Sequence, residues 1–416
     1  MRLKFCIVFA VVSALAACGP SEDASKGETV PAQAEPAVDI IPTLVKRLDL
    51  ARYKATIKGL TQFGDRLQGT DRNRAAVDWI EGELKSYGCT TERFIYEYPP
   101  PEGPTPVPPA TAAVSDPPRA VGGGRPRGVR VPTSPPLSQA DATRTAALDA
   151  QTDGRLRELN AQASVDGPRQ QVYCTKVGTM RPDEMYIVSA HMDGRGFGEA
   201  ANDDGSGTAL VMELARILSS ADVETERTIR FILWNNEETG LNGARAYVEE
   251  RQSLQGKENP AGSGAYPEPK WLGMIQHDMM LFDHGAPRAD GTVSPEQRAE
   301  ADVDIEFQSS SKMTTQSQAL AWALHAANEK YASDYPATVG NHMTNTDSNP
   351  FMDVAPAVSM RENERGVHIG SGWDPHWHQP TDIYANFTDN DFLLGLNAAQ
   401  TTLGAVAQLS GARLKE

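Results

Sequence analysis

The second half of the chain alternates between two apolar patterns, and this alternation restricts the possible folds more than any other feature. Short runs such as residues 185–190 and 228–234 are mostly apolar, as in strands buried on both faces. Longer segments such as residues 210–218 carry apolar residues at helical spacing. Strands that alternate with helices predict an α/β fold. We expect a three-layer α/β/α sandwich with a central, mostly parallel mixed sheet.

The same patterns give bounds for the predicted elements. Strands are predicted at residues 91–98, 170–175, 185–190, 228–234, 271–276, 303–307 and 357–360. Helices are predicted at residues 71–87, 210–218, 244–250, 315–331 and 389–409, and residues 139–163 have helix-forming composition. Ligands of open α/β sheets bind outside the carboxyl ends of the strands, so the residues that follow these strands are the first candidates for a site.

Composition and charge limit the class of protein. The chain has 416 residues, of which 39% are hydrophobic, and this is enough for one large domain, predicted at residues 40–416. A Pro- and Gly-rich insertion is expected within it at about residues 99–168. The net charge of −16 and the pI near 5.0 argue against a nucleic-acid partner, because phosphate binding depends on clustered Lys and Arg.

The N-terminus has the pattern of an export signal. Arg2 and Lys4 precede an apolar run at residues 5–17, which is too short to span a bilayer. The run ends in Leu-Ala-Ala-Cys-Gly, which resembles the bacterial lipobox, in which the cysteine becomes the lipidated first residue. We expect an exported outer-membrane lipoprotein, facing the periplasm or the cell surface and anchored only through Cys18. Residues 18–39 would be a flexible tether. The alternative is an ordinary signal peptide with a chance cysteine.

Two of the four cysteines remain after this processing. Cys6 would be lost with the signal peptide and Cys18 would carry lipid, which leaves Cys89 and Cys174 in the mature chain. Both lie in or beside predicted strands. In an oxidising compartment such a pair can form a disulfide, and two free buried thiols are the alternative.

Polar residues follow the predicted strands where a site is expected. His191, Glu237 and Asp278 each come shortly after a strand, and Asp203 lies where the next helix begins. Imidazole nitrogens and carboxylate oxygens at one sheet edge suit a divalent metal, zinc above all. Taken singly, Glu237 and Glu238 could be a helix start favoured by the macrodipole, and Asp203 and Asp204 could be a helix cap. Their joint occurrence favours the metal site.

Five motifs in this order resemble a known family. They are His-x-Asp at 191–193, Asn-Asp-Asp-Gly-Ser-Gly at 202–207, Asn-Asn-Glu-Glu-Thr-Gly-Leu-Asn-Gly at 235–243, Asp278 after its strand, and His-x-x-x-Asp at 378–382. They resemble the zinc exopeptidases, which include bacterial secreted leucyl aminopeptidases, glutamate carboxypeptidases and, more distantly, glutaminyl cyclases. The resemblance runs from about residue 41 to the end, apart from the insertion, and implies a zinc-exopeptidase-like fold with a peptide substrate.

The resemblance also implies two zinc ions per chain and a role for each site residue. One zinc would be held by His191 and Asp278, the other by Glu238 and His378, with Asp203 as the bridge between them. Glu237 would be the general base. The carboxylate of Asp193 would accept the imidazole N–H of His191 and fix its tautomer. His378 is preferred to His376 and His368 because it alone has the family's spacing to Asp382.

The resemblance favours an aminopeptidase that releases N-terminal residues. A carboxypeptidase of the same family is the first alternative, because Arg195, Arg361 or Arg365 could bind a terminal carboxylate. A non-catalytic ectodomain that keeps the fold for binding alone is the second. Cyclase activity is disfavoured by Ser348, which stands where the motif Asp-His-x-x-Phe of many relatives has His.

Overall fold

The computed structural model describes residues 39–98, 146, 148–282, 303–343, 345–362 and 374–415. The predicted signal peptide, nearly all of the predicted tether and much of the insertion lie outside these residues, so the division of the chain into these parts stays a prediction. No helix within the described ranges has the length and apolar character needed to cross a membrane.

A mixed sheet forms the centre of the described fold. The strands are β1 (Thr90–Tyr96), β2 (Arg169–Lys176), β3 (Arg181–His191), β4 (Val223–Glu224), β5 (Arg227–Trp234), β6 (Lys270–His277), β7 (Val303–Phe307), β8 (Ala337–Gly340), β9 (Ala357–Arg361) and β10 (Arg413–Leu414). Eight of them lie in the order β1-β2-β5-β3-β6-β9-β7-β8, and β4 pairs with β10. Parallel pairing joins β5 to β3, β3 to β6, β6 to β9 and β7 to β8. The predicted mostly parallel mixed sheet is confirmed.

Helices cover both faces of this sheet. The α-helices whose bounds are described are α1 (Ile41–Val45), α2 (Leu50–Thr61), α3 (Asp71–Ser86), α4 (Gly154–Asn160), α5 (Gly205–Leu218), α6 (Asn242–Arg251), α7 (Thr314–Tyr331) and α8 (Asp389–Ser410). Val188 packs in a buried cluster with α5 and α8, whereas Ile187 packs in a second cluster with α6. Because successive side chains of a strand point to opposite faces, the two clusters lie on opposite sides of the sheet. The three layers are therefore as predicted.

The structure differs from the prediction at the C-terminal end of the insertion. Residues 139–163 do not form one helix up to residue 163, because α4 begins anew at Gly154. The Asp153 side chain accepts the backbone N–H groups of Arg155 and Leu156, which caps a new helix and interrupts any earlier one. Helix α2 and strand β8 have no counterpart in the sequence prediction.

Cys89 and Cys174 form a disulfide, with their Cα atoms 5.7 Å apart. Cys89 immediately precedes β1, and Cys174 lies in β2, which pairs with β1. The bond links residues separated by 85 positions, so it restricts the unfolded chain strongly. Such a crosslink raises the free energy of unfolding by about 2–4 kcal/mol. The alternative of two free thiols is therefore excluded.

Candidate metal centre

The carboxyl ends of three adjacent strands bring the predicted site residues together. Strands β5, β3 and β6 are neighbours and run parallel, so their carboxyl ends meet at one edge of the sheet. His191 is the last residue of β3, Glu237 follows β5, and Asp278 directly follows β6. One donor atom from each of these three residues lies within 4.8 Å of the others. The structure therefore brings His191, Glu237 and Asp278 together at one edge of the sheet.

A second group of donors lies beside the first. Asp203, Glu238 and His378 form this group, and the His378 Nε2 atom lies 3.0 Å from the Glu238 Oε2 atom. Asp203 faces both groups, because its Oδ2 atom is 3.0 Å from His378 Nε2 and its Oδ1 atom is 3.3 Å from His191 Nε2. A carboxylate in this position can bridge two cations.

The donor set fits two divalent metal ions such as zinc. Each group combines one imidazole nitrogen with carboxylate oxygens, the mixture that zinc prefers. The Glu238 Oε1 atom is buried without a hydrogen-bond partner in the described part of the chain, so it is free for a ligand bond. The carboxylates also attract positive charge. Although burial opposes it, Glu238 and Asp203 raise the pKa of His378 to about 9.

Asp204 and Asp382 fix the loop that carries Asp203. Asp204 caps α5 by accepting the Gly207 N–H at 2.9 Å, and its other oxygen accepts the His191 N–H at 3.1 Å. Asp382 accepts the N–H groups of Asn202 at 2.8 Å and Asp203 at 3.1 Å. The cap is therefore Asp204, and Asp203 remains free for the metal site.

Asp193 acts through different atoms from those predicted. The His191 Nδ1 atom lies 2.8 Å from the backbone oxygen of Asp193, whereas the carboxylate Oδ1 atom is 4.0 Å away. The prediction that the carboxylate accepts the imidazole N–H is wrong, because the tight turn after β3 presents the carbonyl instead. Nδ1 must still carry the proton, which leaves Nε2 for a metal. The Asp193 carboxylate accepts the Glu237 N–H at 3.1 Å.

Glu237 and Glu238 point to different groups, as expected for neighbouring side chains. Glu237 joins His191 and Asp278, and Glu238 joins His378 and Asp203. Burial of its carboxyl group raises the pKa of Glu237 well above the ordinary value, although His191 nearby opposes this. A carboxyl group with a raised pKa is a better proton acceptor than an exposed glutamate.

Arg361 has a role that sequence reasoning missed. The guanidinium lies 2.7 Å from the Asp278 Oδ2 atom, and both side chains are about 4% exposed. Burial alone would raise the pKa of Asp278, but Arg361 and His191 hold it below its usual value. The pair turns the other carboxylate oxygen of Asp278 towards His191, at 3.8 Å. Arg361 is thus not a surface residue, and its pairing with Asp278 places it beside the donor groups.

His376 does not contribute to the metal centre. The His376 Nδ1 atom lies 2.9 Å from Thr381 Oγ1, and the ring packs against Phe282 and Phe387, so it is not in either donor group. His368 and Arg365 lie outside the described residues. Ser348 is buried, with its hydroxyl 2.8 Å from that of Ser359.

The two donor groups line a cavity of about 330 Å³. Arg195, Gly240, Asn345, Arg361 and Trp377 complete the described lining, and the Trp377 ring stacks on His378 with centroids 4.1 Å apart. The lining is charged, with few apolar side chains.

The α/β sandwich and the paired donor groups at the carboxyl edge of its sheet indicate a zinc-dependent peptidase. Within that class, residues 172–400 match peptidase family M28, and the chain belongs to this family. All the proposed metal ligands lie in the matched region.

Similar proteins have related descriptions. The chain is 47% identical over 68 residues to aminopeptidase YwaD of Bacillus subtilis (strain 168), a match that covers 16% of the chain and 14% of YwaD. It is 33% identical over 92 residues to carboxypeptidase Q of Mus musculus, a match that covers 22% of the chain and 20% of carboxypeptidase Q. The chain thus spans about a fifth or less of these two curated relatives.

Solved structures show the same fold. A zinc aminopeptidase from Bacillus subtilis superposes with a TM-score of 0.56 and 16% identity, over 87% of this chain and 95% of that one. At this identity the likeness shows the fold alone. The predicted zinc-exopeptidase-like fold is confirmed.

Proposed function

We propose that the chain is a two-zinc metallo-exopeptidase, most specifically an aminopeptidase. The observation that carries the proposal is the position of Asp203 between two donor groups, with one carboxylate oxygen towards each histidine. Family membership supports peptide hydrolysis, and the full set of ligands argues against the alternative of a non-catalytic binding ectodomain.

The ligand assignment follows the two groups. His191 and Asp278 would hold one zinc, Glu238 and His378 would hold the other, and Asp203 would belong to both. When bound, paired zinc ions polarise a water molecule and the scissile carbonyl. Arg361 orients Asp278, and the Asp193 carbonyl selects the His191 tautomer.

Glu237 would transfer the proton. Its backbone N–H is held by the Asp193 carboxylate, so the residue starts from a fixed position beside His191 and Asp278. The carboxylate takes a proton from the attacking water and passes it to the departing amine. Burial raises the pKa of Glu237 above its ordinary value, which makes its carboxylate a better proton acceptor than that of an exposed glutamate.

Different observations favour aminopeptidase and carboxypeptidase activity. The higher local identity is to an aminopeptidase, which favours release of N-terminal residues. Arg195 favours the carboxypeptidase alternative, because it lines the cavity and could bind a terminal carboxylate, and the similarity to carboxypeptidase Q points the same way.

Peptides blocked at either end separate these two activities. We expect an N-acetylated peptide to resist cleavage and a C-amidated peptide to be cleaved at the rate of the free peptide, as measured by mass spectrometry of released residues. The variant Arg195→Ala is expected to cleave the C-amidated peptide at the wild-type rate. The reverse dependence, with amidated peptides resistant and KM raised in Arg195→Ala, would establish the carboxypeptidase.

We also propose that the chain is exported and lipidated at Cys18. The short apolar run, the lipobox-like sequence and a disulfide, which is typical of oxidising compartments, support this. In a Gram-negative host the chain is expected to sediment with membranes, and Cys18→Ser to move it to the soluble fraction. Cys6→Ser is the matched control and should stay with the membranes. A soluble parent chain would contradict the anchor.

A further inference from the structure

The end of the insertion contacts both loops that carry metal ligands. One loop, residues 192–204, leads from β3 to α5 and includes Asp203. The other, residues 374–383, includes His378. Gln151 is 4% exposed, and its Nε2 atom donates to the Phe197 oxygen at 2.9 Å and to the Pro380 oxygen at 3.0 Å. A single amide nitrogen thus joins the two loops.

A second buried amide strengthens the contact from the same segment. Asn160, at the end of α4, is fully buried, and its Nδ2 atom donates to the Gly198 oxygen at 2.9 Å. Its Oδ1 atom accepts the Asp65 N–H at 3.1 Å, which ties α4 to the body of the domain. The segment 151–160 is therefore anchored and can hold the loop in place.

These loops need external support because their backbone is strained. Phe197, Ala200 and His378 all have positive φ values of 66°, 47° and 56°, which residues other than glycine rarely adopt. The loops also touch closely at Gly196, where an added Cβ would lie 2.5 Å from the His378 carbonyl carbon. Such conformations persist only where surrounding contacts determine them.

Arg66 supports the first loop from the opposite side. Its fully buried guanidinium donates to the backbone oxygens of Met192 at 2.7 Å, Glu199 at 2.8 Å and Ala200 at 2.8 Å. These bonds reach only the 192–204 loop. The two loops also bond to each other directly, because Asp382 accepts the N–H groups of Asn202 and Asp203. Gln151 adds a side-chain bond to each loop from a third segment of the chain.

We propose that Gln151 is a positioning residue for the metal centre. Its two hydrogen bonds hold the Asp203 loop to the His378 loop, and so the end of the insertion would set the affinity for a zinc ion at the donor group of Asp203, Glu238 and His378. The inference rests on the two-zinc site of the proposed function. It assigns a role in that site to a residue outside the region that matches the family.

The test compares the full chain with Gln151→Ala and with Gln151→Glu, which keeps the shape but replaces the donor by an acceptor. Zinc affinity is measured by competition with a chromophoric chelator. Loss of a residue that orients a metal ligand weakens metal binding by about 10–100-fold. We expect both variants to lose zinc affinity in this range at the donor group of Asp203, Glu238 and His378. The ligand-field absorption bands of the cobalt-substituted variants should also change, because the His378 geometry is altered.

Gln162→Ala is the matched control. Gln162 lies just beyond the same segment, but it contacts Asp71 and the Arg72 backbone, away from both ligand loops. This variant should keep wild-type affinity and the wild-type cobalt spectrum. The role of Gln151 would be overturned if the Gln151 variants kept wild-type affinity and spectra, or if Gln162→Ala lost as much affinity as they do. Neither outcome would affect the proposed function. A wild-type chain without zinc affinity would instead overturn the proposed function, and this inference with it.

Discussion

The variant Glu237→Gln is expected to keep both zinc ions and to lose about 10²–10⁴-fold in kcat. Glutamine has the size of glutamate but cannot take a proton from water, and general-base catalysis contributes a factor of this size. Zinc content should hold because the assigned ligands are His191, Asp203, Glu238, Asp278 and His378. The measurements are kcat on an unblocked peptide and metal content by mass spectrometry after dialysis.

Glu249→Gln provides the control for this variant. Glu249 is an exposed residue of α6, so the same chemical change there should leave both kcat and zinc content as in the wild type. If Glu237→Gln hydrolysed peptides at an undiminished rate, another group would have to be the base. If it lost zinc along with activity, Glu237 would be a ligand of the His191 group, which its position among those donors allows.

The variant Asp203→Asn is expected to abolish activity by loss of metal. Asparagine offers one oxygen and no negative charge, so it cannot bridge two cations as the carboxylate does. Replacing a residue that only orients a metal ligand lowers metal affinity by about 10–100-fold. Removing the bridging ligand itself is expected to lower it by more than about 100-fold. Chelator competition gives the affinity, and dialysed samples should contain fewer than two zinc ions per chain.

Asp166→Asn is the matched control, because Asp166 is exposed and lies apart from both donor groups. Circular dichroism of the two variants without metal separates loss of ligands from loss of fold. An Asp203→Asn chain that retained two tightly held zinc ions would show that the two donor groups are occupied independently, and the bridging assignment would be wrong.

The sequence predicted the elements that depend on local pattern. Strands β5 and β6 and the C-terminal half of β3 consist of mostly apolar residues, and the strand bounds agree with the prediction within a few residues. Because parallel strands end at one sheet edge, the convergence of His191 and Asp278 followed from their positions after strands. Glu237 and Glu238 follow β5, so they were expected at the same edge of the sheet. Because adjacent side chains point in different directions, the two were also expected to have different roles.

Contacts that depend on loop conformation could not be predicted in this way. Whether His191 contacts the carbonyl or the carboxylate of Asp193 is decided by the turn after β3, and no spacing encodes that choice. The Arg361–Asp278 pair joins residues 83 positions apart. Gln151 was not a candidate because its partners are backbone oxygens, which every residue type provides.

The Cys89–Cys174 bond has a further consequence for the integrity of the chain. Residues 97–150 lie wholly between the two cysteines, so a single proteolytic nick there would leave two fragments that remain covalently joined. The fragments would also stay paired through the β1–β2 ladder. A clipped molecule would therefore migrate as one species without reductant and as two with it, and the metal ligands would all remain on the larger fragment.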